Sequence, residues 1–236
     1  MPAPPILNTL ETGVSGNDVT TSDPGSPDSF NAISATAPKY TNVQKHSGNL
    51  SMVYTSIVNV QISTFTGFGS LTGNVYSRFY LYLPSLPSDN NYYPVAIRTA
   101  VDSASAILRI LSTGIIQMRD ASNSQIGSDG LVAVATGQWV RLETRVLSST
   151  TVGQMEYRLY NSADSTTITD TGSASGAVLG ANSDRAAFGT NVSAPVAGIT
   201  HYFDDLAISS TGWIGPYGAT LVSDTPFVPS GRGASW

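Results

Sequence analysis

The sequence predicts an all-β protein, an antiparallel two-sheet jelly-roll sandwich, and three observations carry that prediction. Short runs of alternating apolar and polar residues fill most of the chain, as expected for strands with one buried face. Gly, Pro, Asn, Asp and Ser separate these runs, while runs with the 3.6-residue period of helices are missing. A chain of 236 residues is long enough to give one such domain a large core.

The alternating runs place most of the strands after the first fifty residues. They are Ser51–Asn59, Val75–Leu83, Tyr93–Val101, Ala106–Ser112, Ile115–Asp120, Leu131–Val134, Trp139–Leu147, Gln154–Asn161, Arg185–Gly189 and His201–Ser209. A first strand is expected around Asn8–Thr12, followed by a long surface loop over 13–40 that is rich in Pro, Ser, Thr and Asp. We therefore expect a single jelly-roll domain over 1–214.

The last residues, 215–236, are rich in Pro and Gly and are expected to form an extended tail. Phe227 and Trp236 are apolar groups on this tail without an obvious core to enter. Two interpretations stay open. The tail is a strap packed on its own domain, or it is an arm on which these two residues contact a neighbouring subunit.

Composition excludes several classes of function. There is no cysteine, so disulfides, zinc–thiolate sites and cysteine nucleophiles are ruled out. The net charge is −5 and Lys and Arg form no basic cluster, so we expect no nucleic-acid partner. No apolar run approaches the roughly 18 residues of a membrane span. The N-terminus lacks the basic and apolar regions of a signal peptide, so we expect the protein to leave the cell by lysis or as part of a particle.

Arginines share one face of several predicted strands. In Val75–Leu83, alternation puts Arg78 on the face opposite Phe79 and Leu81. The residues expected on such an outward surface are Arg78, Tyr80, Tyr82, Arg98, Arg109, Arg141, Glu143, Arg145, Arg158 and Tyr160. Guanidinium donors suit carboxylates and sugar hydroxyls, and tyrosine adds a flat ring with a polar tip, so the surface is a candidate glycan groove. Alternatively, cross-strand Arg–Glu pairs simply hold an exposed sheet in register.

Signatures of catalysis are scarce. His201 is close in sequence to Asp204 and Asp205, but no nucleophile elbow accompanies it. The three glutamates are too few and too scattered for the paired carboxylates of a glycosidase. Arg141–Arg145 superficially resembles the arginine-rich strand of some polysaccharide lyases, although no motif for a catalytic base follows it. We therefore expect a protein that is not an enzyme.

Asp204 and Asp205 are the best metal candidates. Alternation turns one of these adjacent acids inward, and a buried carboxylate needs a partner. That partner is either a structural calcium ion, which prefers several oxygen ligands, or hydrogen bonds from nearby backbone or an arginine.

Six segments occur in an order that is similar to a known family. They are Asn8–Gly13, His46–Ser51, Tyr80–Pro84, Gly137–Glu143, Tyr202–Ser209 and Thr211–Pro216. Over about residues 6–216 the chain resembles the laminin-G-like jelly-roll proteins of actinobacteria and their phages, of concanavalin A-like lectin or glucanase type. By this resemblance Glu11, Gly48 and Asp205 are candidate calcium ligands, and the protein is a virion component.

The leading hypothesis is therefore a phage virion structural protein, a minor tail or capsid-surface decoration protein, that contacts host-surface glycans. Its expected partners are other virion proteins or further copies of itself. Two alternatives are a free carbohydrate-binding module and a polysaccharide lyase or glycoside hydrolase.

Overall fold

A computed structural model describes residues 5–21, 30–55, 57, 60, 62–99, 103–190 and 199–218. These residues form fifteen β-strands. They are β1 (Ile6–Asn8), β2 (Ala32–Ile33), β3 (Lys39–Thr41), β4 (Ser51–Thr55), β5 (Ile62–Leu71), β6 (Asn74–Tyr82), β7 (Tyr92–Arg98), β8 (Ala104–Ile110), β9 (Ile116–Arg119), β10 (Gln125–Ile126), β11 (Trp139–Leu147), β12 (Gly153–Tyr160), β13 (Asp170–Ala177), β14 (Ser183–Thr190) and β15 (Thr200–Ser209). Within these ranges no helix is long and apolar enough to cross a membrane.

The strands form two sheets in which every pair is antiparallel. Sheet one has the order β13-β12-β11-β6-β15-β4-β3, with β1 also paired to β15, and sheet two has the order β10-β9-β8-β7-β14-β5-β2. Strands distant in sequence are neighbours in both sheets, as β6 is between β11 and β15. The predicted all-β sandwich of two antiparallel sheets is confirmed.

The core lies between the sheets, where the apolar faces of the strands meet. Phe79 of β6 packs against Phe188 of sheet two with ring centroids 5.8 Å apart, and against Phe203 of β15 at 5.5 Å. All three side chains are fully buried. Burying a side chain of this size stabilises the fold by about 1.5–3 kcal/mol, so the alternating pattern is also the main source of stability.

The observed strands differ from the predicted ones in several places. Strands β5 and β13 were not predicted, because hydroxyl residues and glycines interrupt their apolar alternation. Leu131–Val134 is an irregular segment rather than a strand. Its backbone donors are taken by a side chain, since the N–H groups of Leu131 and Val132 both point to Oδ2 of Asp170.

The N-terminal strand ends earlier than predicted. Oδ1 of Asn8 accepts a hydrogen bond from the Leu10 N–H at 3.0 Å, and Leu10 has a φ of 64°, so the chain turns directly after β1. This side-chain-to-backbone bond competes with continued pairing. The expected loop 13–40 contains β2 and the beginning of β3, and Asp18 forms an isolated β-bridge with Lys39.

A bulge in β15 positions the candidate site. Its register against β6 shifts between Asp204 and Ala207, and Asp205 has a φ of 46°. A residue in this left-handed conformation is strained unless its surroundings hold it, and such residues concentrate at functional positions. Strand β4 pairs with β15 before the bulge, and β1 pairs with it after the bulge.

Candidate functional site

Three aromatic residues form a row across the outer face of sheet one. Tyr82 of β6 is in register with Trp139 of β11 on one side and with Tyr202 of β15 on the other. The Tyr82 ring centroid is 5.7 Å from that of Trp139 and 5.8 Å from that of Tyr202. All three are partly exposed, because their strands turn the intervening apolar residues inward. We call these three residues the aromatic row.

The row continues toward the edge of the sheet. Tyr202 is in register with Val53 of β4, and Val53 is in register with Lys39 of β3. Val53, Lys39 and Thr55 line a pocket of about 190 Å³ at this end. The partly exposed strip therefore crosses five neighbouring strands.

His46 forms a wall beside the row. Its ring stacks on Tyr80 with centroids 3.7 Å apart, and meets Trp139 edge-on at 6.0 Å. Its Nδ1 lies 2.8 Å from Oδ2 of Asp205, and its Nε2 lies 3.1 Å from Oδ1 of Asp164. Both ring nitrogens thus lie within hydrogen-bond distance of a carboxylate, which fixes the orientation of the imidazole.

The turn that carries His46 is held by the two acids at the bulge. Oδ2 of Asp204 accepts the N–H groups of His46 at 2.8 Å and Ser47 at 3.3 Å, while Oδ1 of Asp205 accepts the Ser47 hydroxyl at 2.9 Å. Both acids are fully buried. Burial, followed by the charge of Asp205, raises the pKa of Asp204 to about 8. In the structure, hydrogen bonds from the N–H groups of His46, Ser47 and Asp205 hold the Asp204 carboxylate.

The expected calcium ligands Glu11 and Asp205 each hold part of the turn that contains Gly48. Glu11 accepts the N–H groups of Asn49 at 2.7 Å and Leu50 at 3.1 Å, so it binds a different part of the turn from Asp205. A Cβ on Gly48 would lie 2.3 Å from a Glu11 oxygen, so glycine permits this approach. Across the described ranges, no group of three or more His, Asp or Glu side chains could hold a metal. Hydrogen-bond donors of the protein already occupy both carboxylates of the predicted set, an arrangement that does not need calcium.

The expected outward surface of arginines is covered. Arg141 and Glu143 are each 1% exposed and form an ion pair, with Nε to Oε1 at 2.9 Å. The other Arg141 nitrogens donate to the carbonyls of Ala163 at 2.6 Å and Ser165 at 2.8 Å. Glu143 also accepts the Ile214 N–H at 3.2 Å. The prediction of an exposed surface is wrong here, because segments after β12 and β15 lie over it.

Most of the neighbouring predicted residues are buried as well. Those with exposures of 5% or less are Arg78, Tyr80, Arg145 and Tyr160. Arg158 and Tyr82 keep partial exposure, and the Arg158 guanidinium lies 3.7 Å over the Trp213 ring. Cross-strand pairing of the expected kind joins Arg145 to Glu156, with Nε and Oε2 3.7 Å apart. These residues therefore fit the interpretation in which Arg–Glu pairs hold the sheet in register better than they fit a ligand-binding surface.

Two predicted arginines lie elsewhere. Arg98 and Arg109 belong to β7 and β8 of sheet two, so they do not join the others. Their guanidinium groups lie over the rings of Phe65 at 5.8 Å and Tyr93 at 5.5 Å. Alternation indicates the face of a strand but not its sheet, which explains the error. The expected assembly contacts, Phe227 and Trp236, lie outside the described residues.

Sequence reasoning missed two of the three rings of the aromatic row. Alternation put Trp139 on the same face as Arg141, but Trp139 was not taken as a candidate, and Tyr202 was read only as part of a familiar segment. A usable signal was present, since an aromatic residue occurs at an outward position of each strand. Using this signal to predict the row would have required knowing that β11, β6 and β15 are neighbours.

Comparisons with known proteins concern the fold. No family model and no curated protein matches the sequence. Alginate lyase vAL-1 from Chlorella virus aligns with a TM-score of 0.53 and 11% identity over 84% of this chain and 100% of that chain. AlgAT5, an alginate lyase of polysaccharide lyase family 7, aligns with a TM-score of 0.52 and 8% identity over 86% of this chain and 94% of that chain. The cellulose induced protein Cip1 aligns with a TM-score of 0.50 and 16% identity over 89% of this chain and 99% of that chain. The chain therefore has a jelly-roll fold.

This comparison corrects the expectation of a protein that is not an enzyme. The solved structures that share the fold include polysaccharide lyases. Because one fold hosts many functions, scarce motifs in the sequence do not exclude catalysis, and identities of 8–11% show the fold alone. Enzymatic activity is thus a matter for direct assay.

Proposed function

We propose that the chain binds a linear, neutral polysaccharide along the aromatic row. The observation that supports this is the register that brings Trp139, Tyr82 and Tyr202 side by side on three neighbouring strands. Partly exposed Trp and Tyr rings offer a flat apolar surface with a polar edge. The C–H-rich face of a sugar ring packs on such a surface, while its hydroxyls stay at the rim.

The proposed ligand lies across the strands. Adjacent strands are about 4.8 Å apart, so the four steps from Trp139 to Lys39 cover roughly 19 Å. A pyranose unit of a linear chain repeats at a similar spacing, so each ring and the edge pocket match successive sugars. The wall formed by His46 and Asp164 closes one side of this path and supplies polar groups.

Charge favours a neutral polymer. Exposed charged residues on or adjacent to the strip and its wall include Lys39 and Lys45 together with Asp18 and Asp164. Lys39 is already paired with Asp18 at 2.7 Å. These charges balance, so the strip has no surplus of positive charge to attract an anionic chain.

Affinity electrophoresis tests the proposal. We expect hydroxyethylcellulose, xylan or glucomannan to retard the protein, and alginate to retard it less. Trp139→Ala and Tyr202→Ala should weaken the binding at least tenfold, or about 1.4 kcal/mol, because buried aromatic contacts carry much of the affinity of an interface. Tyr217→Ala is the matched control, since Tyr217 is an exposed tyrosine outside the row. Equal retardation of all four proteins, or none by any neutral polymer, would refute the proposal.

Oligosaccharide length gives a second measurement. Calorimetry with fragments of the retarding polymer should show affinity that increases up to about four or five sugars and then levels off, as the strand spacing requires. The same polymers should be assayed for new chain ends, because the shared fold includes lyases. Shortening of the polymer would extend the proposal from binding to cleavage.

We further propose that the domain is carried on a phage particle, as a minor tail or capsid-surface protein assembled with other virion proteins or with copies of itself. The support is the resemblance of the six sequence segments to phage jelly-roll proteins. Mass spectrometry and antibody labelling of purified particles test this. Absence of the protein from particles whose host produces it would contradict the virion role while leaving glycan binding untouched.

A further inference from the structure

A second pocket lies on sheet one, away from the aromatic row. It has a volume of about 370 Å³ and lies beside β1, the β15 bulge and the segment after β15. Most of its surface is apolar, and its main side chains are Leu7, Thr9, Leu206, Ile214, Tyr217 and Arg78. Pockets that hold small ligands have volumes of about 300–1,000 Å³, so this one suits a small molecule.

The pocket is apolar up to its rim. Leu7 is 44% exposed and Tyr217 is 49% exposed, which places two large apolar side chains in contact with water beside it. Leu206 and Ile214 are each 2% exposed and form its inner wall. This lining favours an apolar molecule over a hydrated sugar.

Arg78 is a charged group among these apolar residues. It is 3% exposed, and none of the acidic side chains in the described ranges lies within ion-pair distance of it. Its Nε and Nη2 donate to the Asp205 carbonyl at 3.3 and 3.1 Å, and its Nη1 donates to the Gly215 carbonyl at 3.2 Å. These three bonds leave part of its donor set unused.

Two carboxylates, those of Asp205 and Glu143, act on Arg78 without forming an ion pair with it. Burial, the largest influence, lowers its pKa, while nearby Tyr80, Asp205 and Glu143 partly offset this effect and Arg141 adds to it. Taking a cation out of water is costly unless a counter-charge with good geometry compensates. An anion that reached Arg78 from the pocket would supply that counter-charge.

We propose that this pocket binds a small organic acid, with its apolar body against Leu7, Leu206 and Ile214 and its carboxylate on Arg78. Carboxylate and guanidinium form charge-assisted, often bidentate hydrogen bonds that are stronger than neutral ones. The pocket wall gives affinity through apolar contact, and Arg78 selects for the acid. This site goes beyond polysaccharide binding and does not depend on it.

Two probes with the same apolar body test the role of the charge. Hexanoate and 1-hexanol are titrated into the ¹⁵N-labelled full chain at neutral pH. We expect hexanoate to shift the amide signals of Leu7, Thr9 and Ile214 and to bind at least tenfold more tightly than hexanol. Equal affinity for the two probes, or no shift of these signals by hexanoate at millimolar concentration, would overturn the proposal.

A rim variant tests the location without disturbing Arg78, whose replacement also frees two backbone carbonyls. Leu7→Asp removes apolar wall and adds a like charge, so hexanoate affinity should fall at least tenfold. Leu131→Asp is the matched control, because Leu131 is a leucine that is 69% exposed and lies outside the pocket. Retention of hexanoate affinity in Leu7→Asp, or an equal loss in both variants, would contradict the assignment.

Discussion

His201 should make the fold sensitive to acid. It is fully buried between the sheets, where its ring stacks on Tyr54 with centroids 5.2 Å apart and meets Tyr92 edge-on at 4.9 Å. Neither ring nitrogen has a hydrogen-bond partner among the residues that the structure describes. Burial lowers the pKa of His201 from 6.5 to about 3, because the charged form cannot be solvated there.

The direction of the effect follows from proton uptake. Between pH 6.5 and about 3 the unfolded chain protonates this histidine and the folded chain does not, so stability falls as the pH falls. Each unit of pKa difference is worth about 1.4 kcal/mol, which gives about 3 kcal/mol at pH 4.5 and roughly 5 kcal/mol at the acid limit. His201→Phe keeps a ring of similar size and removes the titration.

The pH dependence of stability of the native protein cannot by itself be assigned to His201, because Asp204 also contributes to it. Its pKa is raised to about 8, so between that pH and 3.8 the folded state takes up the proton and acidification stabilises the fold. Both the native protein and His201→Phe carry this contribution. The difference between their free energies of unfolding therefore isolates His201.

Urea unfolding at pH 7.5 and pH 4.5 measures this difference. We expect the free energy of unfolding of His201→Phe, relative to the native protein, to increase by about 3 kcal/mol on going to pH 4.5. Replacing the chain's other histidine, as in His46→Asn, should leave the contribution of His201 in place. A relative free energy that stays constant between the two pH values would refute the burial argument.

Three further predictions concern the turn and the buried ion pair. Gly48→Ala should destabilise the fold by about 2 kcal/mol or more in urea unfolding, since its Cβ would lie 2.3 Å from Glu11 and its φ is 57°. Gly16→Ala, with a φ of 92° and open space around it, should cost only the backbone strain. Glu143→Ala should cost about 3–5 kcal/mol by leaving a buried guanidinium unpaired. Glu156→Ala should cost less, because its Oε2 lies 3.7 Å from the Arg145 Nε, beyond hydrogen-bond distance, and Arg145 keeps its bond to Gln154. Excess chelator should leave the melting temperature unchanged, because backbone N–H groups and the Ser47 hydroxyl satisfy the acids of the turn, and a decrease would show that calcium stabilises the fold.

The sequence predicts the positions of the strands better than it predicts which loops cover their outer faces. Alternation identifies β6 and β11 and their inward residues, because burial of one face requires a period of two. It fails for β13, Asp170–Ala177, whose small and hydroxyl residues give no apolar signal. It also fails for Leu131–Val134, where the Asp170 carboxylate replaces a strand partner from a distant part of the chain.

The candidate site was predictable only in part for a related reason. Period-two reasoning finds an outward face, but it does not reveal which loops will cover that face. Arg141 is buried because carbonyl groups at Ala163 and Ser165 reach it from the connection after β12. Tyr202, on the same face of the sheet, remains partly exposed. Both outcomes depend on contacts between residues far apart in sequence.

The buried ion pair links the two proposed sites. Arg141 holds the segment that carries Asp164, which contacts His46 beside the aromatic row. Glu143 holds the N–H of Ile214, which lines the apolar pocket. A change at either member of the pair therefore shifts both binding surfaces. Loss of ligand binding in such a variant would show that the segments after β12 and β15 have moved. It would not identify Arg141 or Glu143 as ligand contacts.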